Sequence, residues 1–266
     1  MSLHHVTHGE GVPVLAVHGW APDHRLMTGC LEPVFADLPG YRRIYPDLPG
    51  MGQSPAGSID SSDGMLDALL GFVDQEIDEP FLVIGESYGG YLARAVAARR
   101  PEQVLGLALV CPLAQAIDNA DRTLPEHVVL RSEPGLLDGL SDELAKNFSG
   151  ITVVQTPETL RAFLADVVPG LEAADFDAMG RIRKNWRLTT DPESGPAYER
   201  PTLVLCGRQD GSTGFADVWP LLPHYPRATY AVLDAAGHNL QIEQPELFGA
   251  HVREWLRRVS LEATCK

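Results

Sequence analysis

A single serine stands between glycines in Gly85-Glu86-Ser87-Tyr88-Gly89, directly after the apolar run 81–84 and before the alanine-rich stretch 91–100. A strand that turns straight into a helix there pushes its middle residue into the open, and the glycines remove side chains that would clash between strand and helix. A serine hydroxyl is a weak nucleophile until a base takes its proton, so this one carries chemistry only with a histidine and an orienting acid. Both occur later in the chain. His238, in Ala236-Gly237-His238-Asn239, follows the last expected strand, and Asp210, in Cys206-Gly207-Arg208-Gln209-Asp210, lies just past the strand before it. Asp234, four residues before His238, is the rival acid. Asp210 is preferred because it comes from a different strand end and can approach the imidazole opposite the serine. A glycine-rich turn can also pack tightly or cradle a phosphate, but this spacing fits neither the dinucleotide nor the P-loop fingerprint.

The elements that must position these residues alternate short β-branched runs with longer helical patterns, which argues for an α/β chain with a mostly parallel sheet covered by helices on both faces. Strands are expected at 14–18, 43–45, 81–84, 105–110, 202–206 and 229–233, several of them apolar throughout as buried central strands should be, with an initial hairpin turning at His8-Gly9-Glu10-Gly11. Met65, Leu66, Leu69, Phe72, Val73 and Ile77 form one helical stripe, and Phe248, Val252, Trp255, Leu256 and Val259 another, with Pro245 suited to a first turn. From 113 to 199 the alternation stops and helices dominate, with no convincing strand. Thr156-Pro157-Glu158 reads as a cap, a first-turn proline and an acid near the positive helix end. Phe176, Met179, Ile182 and Trp186 share a second face. The division is therefore a core of 1–112 and 200–266, with 113–199 as a helical lid.

Taken together, His18-Gly19-Trp20, Asp47-Leu48-Pro49-Gly50-Met51-Gly52-Gln53-Ser54, the Ser87 turn, the Asp210 turn and the His238 turn occur in one order along the chain. On these five signatures the sequence resembles the α/β-hydrolase superfamily over nearly its whole length. The resemblance implies an α/β-hydrolase fold with a helical cap inserted before the acid-bearing strand. It implies Ser87 as nucleophile, His238 as base and then acid, Asp210 as the group fixing the histidine tautomer, and the backbone N–H groups of Trp20 and Tyr88 as the oxyanion hole, leaving the Trp20 side chain free to line the pocket. The implied activity is hydrolysis of a small carboxylic ester through an acyl-enzyme. Serine rather than aspartate at the turn argues against the dehalogenase and epoxide hydrolase branches. The meta-cleavage C–C hydrolases and the proline iminopeptidases share the layout, and a small-molecule binding module is the reading from another class. His24, next to Asp23, is expected to line the pocket or brace its loop, and Trp186 is a candidate pocket residue. Glu86 reads as structural. Apparent titration near 6.5 to 7 is expected for catalysis by His238.

Composition narrows the rest. A net charge of −15 over 266 residues repels nucleic acid and anionic membranes, and no apolar run approaches the roughly 20 residues of a membrane span, so a small-molecule substrate is the expected partner. MSLHHVTHGEG lacks the pattern of a secretory signal, which points to the cytoplasm. Cys30, Cys111, Cys206 and Cys265 are scattered and read as reduced thiols. His4, His5 and His8 lack metal-ligand spacing and read as an edge strand. No metal or organic cofactor is called for, since a triad and backbone donors suffice, and oligomeric state leaves no trace in the sequence. Arg181, Arg183, Lys184 and Arg187 form a dense basic cluster, for which a solvated helix face is preferred over a site for an acidic acyl group.

Overall fold

The structure, a computed structural model, describes residues 2–264. Its first half runs β1 (His5–His8), β2 (Val12–Val17), α1 (His24–Phe35), β3 (Tyr41–Pro46), α2 (Ser62–Glu76), β4 (Phe81–Glu86), α3 (Ser87–Arg99) and β5 (Val104–Val110). A cap follows, with β6 (Arg131–Ser132), α4 (Asp142–Ile151), β7 (Val154–Gln155), α5 (Pro157–Asp166), α6 (Val168–Ala173) and α7 (Phe176–Arg183). The chain then returns through β8 (Thr202–Gly207), β9 (Ala228–Leu233), α8 (Leu240–Glu243) and α9 (Pro245–Thr264). Seven strands form one sheet in the order β1-β3-β2-β4-β5-β8-β9, parallel except for β1. This is the α/β-hydrolase architecture.

The initial hairpin does not form. The reversal at 9–11 exists, with Gly9 and Gly11 at φ +69° and +109°, but β3 lies between β1 and β2 and pairs with both. The five buried positions of β2 explain the choice. A strand buried on both faces gains more from parallel neighbours on either edge, here β3 and β4, than from a short edge hairpin. β1 is left at the sheet edge, where His8 is exposed.

Helices α2 and α3 bury their apolar stripes on one face of the sheet, and α1 and α9 on the other. Trp255 anchors α9: its ring is fully buried, which typically contributes a few kcal/mol, and its Nε1 donates to Pro201 O at 3.0 Å. Cys111 and Cys206 end adjacent strands as buried free thiols, Cys30 is free and partly buried, and Cys265 lies outside the described residues. The cap has its own small core, in which Phe148 and Phe163 of α4 and α5 meet edge to face at 5.3 Å beside Leu26 of α1. Thr156 caps α5 through a reciprocal pair of bonds with Thr159. The two-residue β6 and β7 pair within the cap was invisible to periodicity because two residues have none. No helix among the described residues is long and apolar enough to cross a membrane.

Candidate active site

The loops at the carboxyl ends of β2, β4, β8 and β9 supply the site. Ser87 begins α3 at φ +53°, a left-handed conformation that a non-glycine residue adopts only where surrounding packing enforces it. That packing is visible at its neighbours. A Cβ on Gly85 would lie 2.4 Å from Gly89 O, and one on Gly89 would lie 2.3 Å from His18 O. Both positions therefore demand glycine, and the turn can be sharp only because they have it.

Ser87 Oγ lies 3.0 Å from His238 Nε2, and His238 Nδ1 lies 3.0 Å from Asp210 Oδ2. Asp210 is fully buried. Its Oδ1 accepts from the N–H groups of Ser212 and Thr213, and its Oδ2 also accepts from Thr213 Oγ1 at 2.7 Å. Burial alone would raise its pKa, but His238 and these donors hold it below the ordinary carboxylate value. Asp234, the rival acid, is exposed and accepts from Gln209 Nε2 instead.

Glu86 departs from its structural reading. Its carboxyl is buried and reaches His238, with Oε1 3.5 Å from Nε2, the nitrogen that faces the serine. Room for it comes from Gly19, where a Cβ would lie 2.1 Å from Glu86 Oε2. Burial pushes Glu86 up to about 7, opposed by His238 and by the Gly19 N–H. Burial disfavours the imidazolium of His238, yet Asp210 and then Glu86 outweigh it and push that pKa up to about 9, with Arg122 acting the other way. Two carboxyls therefore flank the ring, and the titration expected near 6.5 to 7 moves upward.

Two further residues fix the loops. Glu243 Oε1 accepts from the N–H groups of Val153 and Val154, and its Oε2 accepts from Gly237 N at 2.6 Å, tying the cap to the turn that bears His238. His18 accepts from Leu48 N at Nε2 and donates from Nδ1 to Gly19 O, which makes it a neutral brace; burial lowers its pKa in agreement. Neither role was legible in the sequence, since each partner lies far along the chain or across the cap.

The triad-like group opens into a cavity of about 730 Å³. Trp20, Tyr88 and Trp186 form an aromatic cluster in its wall, with Tyr88 stacked on Trp186 at 4.6 Å. Tyr88 OH and Trp186 O both bond Ser62 Oγ. Tyr88 also sits in the first turn of α3, where backbone N–H groups have no partner within the helix. His24 is not in that wall. Its backbone N–H and its Nδ1 both donate to Asp47 Oδ1, at 2.9 and 2.8 Å, so it braces the loop below. The cause is Asp47, whose Oδ2 also accepts from His4 Nδ1 and Gln53 N. His4, His24 and Asp47 thus converge within metal-ligating distance of one another, and hydrogen bonds occupy both carboxylate oxygens.

The profile of the alpha/beta hydrolase fold family matches residues 12–245, and the chain belongs to that family as an α/β-fold hydrolase. It is 29% identical to a pimeloyl-[acyl-carrier protein] methyl ester esterase of Shewanella woodyi, covering 97% of this chain and 98% of that one. It is 28% identical to a 2-hydroxymuconate semialdehyde hydrolase of a Pseudomonas species, covering 96% and 90%. Among solved structures, an alpha/beta superfamily hydrolase from Oenococcus oeni superposes with a TM-score of 0.90 at 29% identity, covering 96% of both chains.

Proposed function

We propose that this chain is a serine esterase that cleaves a small carboxylic ester through an acyl-enzyme on Ser87. The observation that carries the reading is the continuous line Ser87 Oγ, His238, Asp210, with 3.0 Å at each step, at the floor of a cavity. Neutral His238 accepts the Ser87 proton at Nε2 as Oγ bonds to the ester carbonyl carbon. The carbonyl π pair moves onto oxygen, where the N–H groups of Trp20 and Tyr88 receive the charge. Collapse breaks the C–O bond to the alcohol, which leaves with the proton from Nε2. Water then repeats the sequence on the acyl-enzyme and releases the acid. Asp210 holds the Nδ1–H tautomer throughout, and no group outside the chain is needed.

The likeness to a pimeloyl methyl ester esterase supports an ester as the bond cleaved. The likeness to a 2-hydroxymuconate semialdehyde hydrolase keeps C–C cleavage as the second reading on the same residues. We place the enzyme in the cytoplasm with a small-molecule substrate as its partner, consistent with the strongly acidic composition.

The test is stoichiometric labelling by a fluorophosphonate, with mass spectrometry locating the adduct on Ser87 and Ser87→Ala abolishing it together with ester turnover. An unlabelled Ser87 in protein that still cleaves esters would overturn the assignment. Turnover of a vinylogous 1,5-diketone with no turnover of methyl or aryl esters would select the second reading.

A further inference from the structure

Arg122 and Arg183 stand in the wall of the same cavity, Arg122 from the segment leading into the cap and Arg183 from the end of α7. Arg122 is half-buried and its plane is fixed. Nη1 donates to Ser212 O at 2.8 Å and Nη2 to Ile117 O at 2.9 Å. Both acceptors are neutral carbonyls, Nε has no partner, and no carboxylate forms an ion pair with Arg122 among the described residues. Arg183 lies with its guanidinium carbon 4.2 Å from the Trp186 ring centroid, and its carboxylate partner is the exposed Asp118 at 3.8 Å. The two cations repel one another: Arg183 lies second only to burial among the influences that depress the pKa of Arg122.

Such an arrangement costs free energy, because a partly desolvated guanidinium without a counter-ion beside a second one loses hydration and gains repulsion. It does not follow from composition, since acids outnumber Lys and Arg by 36 to 21. Asp118, Asp210 and Asp217 act on Arg122 in the opposite sense but do not outweigh burial and Arg183, since its pKa still lies below the ordinary guanidinium value, and the acids in the same wall do not cancel the repulsion. Glu143 and Glu172 are exposed, where solvent screens them, and Glu86 is engaged at His238. The other members of the basic cluster, Arg181, Lys184 and Arg187, are exposed and behave as the solvated face that was expected.

We infer that Arg122 and Arg183 form a carboxylate subsite, so that the preferred substrate is the half-ester of a short dicarboxylic acid, its free carboxylate at the two guanidiniums and its ester at Ser87. This deepens the esterase reading and rests on it for the reaction. A short acid follows from the position of Arg122, whose Nη1 donates to Ser212 O, two residues beyond Asp210, in the same cavity wall as Ser87 and His238. The planar fork of arginine also suits a carboxylate better than a lone point charge would.

The experiment compares monomethyl glutarate with methyl 4-carbamoylbutanoate, the same ester with an uncharged amide in place of the carboxylate. The ratio of their kcat/KM values should fall about tenfold to a hundredfold in Arg183→Gln, the range of one lost charge-assisted hydrogen bond. Arg122→Gln should lower it similarly. Arg183 touches no member of the Ser87–His238–Asp210 line, so that variant carries the test if Arg122→Gln fails to fold. Equal losses on both esters, or an unchanged ratio, would overturn the subsite and leave the esterase reading intact. Calorimetric binding of glutarate to Ser87→Ala protein, lost when Arg183→Gln is added, supports the subsite independently of turnover. If glutarate binds in that arginine-dependent way while no ester is cleaved, the subsite stands and the esterase reading falls.

Discussion

Replacing Glu86 by Gln keeps the shape of the side chain and removes its charge, and the pH dependence of catalysis should respond strongly. Glu86 Oε1 is 3.5 Å from His238 Nε2. At an effective dielectric of about 20, a full negative charge there favours the imidazolium by about 5 kcal/mol, or roughly three and a half pK units. That is a ceiling, because Glu86 is itself pushed up to about 7 and shares its titration with His238, pushed up to about 9. The sign is unambiguous. In the proposed mechanism only neutral His238 takes the serine proton, so kcat/KM rises with pH through the apparent pKa of the pair, and removing Glu86 must move that limb to lower pH. A shift of about one unit or more is expected above about pH 7, where Glu86 is ionised, and the two profiles should converge below it, where Glu86 is itself protonated and no longer holds the imidazolium. The assay is kcat/KM from pH 5 to 10 on an uncharged methyl ester, with methanol as the readout and melting followed in parallel. Coincident limbs in wild type and Glu86→Gln would refute the reasoning, for they would mean that the imidazole does not sense the neighbouring carboxyl.

Asp210→Asn preserves contacts to Ser212, Thr213 and His238 in outline but permits the wrong imidazole tautomer, and kcat on any ester should fall by roughly four orders of magnitude with little change in melting temperature. A loss under tenfold would return Asp234 to contention. Glu243→Gln turns one acceptor oxygen into a donor facing backbone N–H groups at 2.6 to 2.9 Å. Stability should drop by about 1–3 kcal/mol and kcat with it, measured by urea denaturation and steady-state rates. Unchanged stability would show that the cap and the His238 turn are not held together through this carboxylate.

What was legible in the sequence was local. The Ser87 turn could be read because its geometry is made by residues within five positions, and β4 and β8 because apolar runs bounded by glycine need no distant partner to be recognised. Pairing was not legible in the same way. The expected hairpin at 8–11 is a sound local turn, but β3 arrives from thirty-odd residues later and takes the place between the strands. His24 reads in sequence as a pocket-lining or loop-bracing residue beside Asp23; it braces the loop, but its neighbours along the chain say nothing of Asp47, which draws its backbone N–H and its ring to one carboxylate oxygen. Glu86 reads in sequence as one polar residue closing an apolar strand. Its reach to His238 depends on the hollow left by Gly19, 67 positions earlier, and on where β9 delivers the imidazole. The role of Glu243 had only a weak signal, an acid just before the proline that opens α9.

The electrostatics of the site follow from a competition around one ring. Asp210 and Glu86 favour the imidazolium of His238, while Arg122 disfavours it. A base flanked by two carboxyls is strong once neutral but is neutral only at higher pH, so Glu86 alone would hold the free enzyme back near neutrality. Arg122 offsets part of that, at the cost of partial burial without a counter-ion. A substrate carboxylate at Arg122 and Arg183 removes that cost. It also weakens the arginine field at His238, so the apparent pKa of the imidazole rises when an anionic ester is seated. The same two guanidiniums would then select the substrate and tune the base that acts on it, which is why specificity and pH dependence in this enzyme should change together when either arginine is replaced.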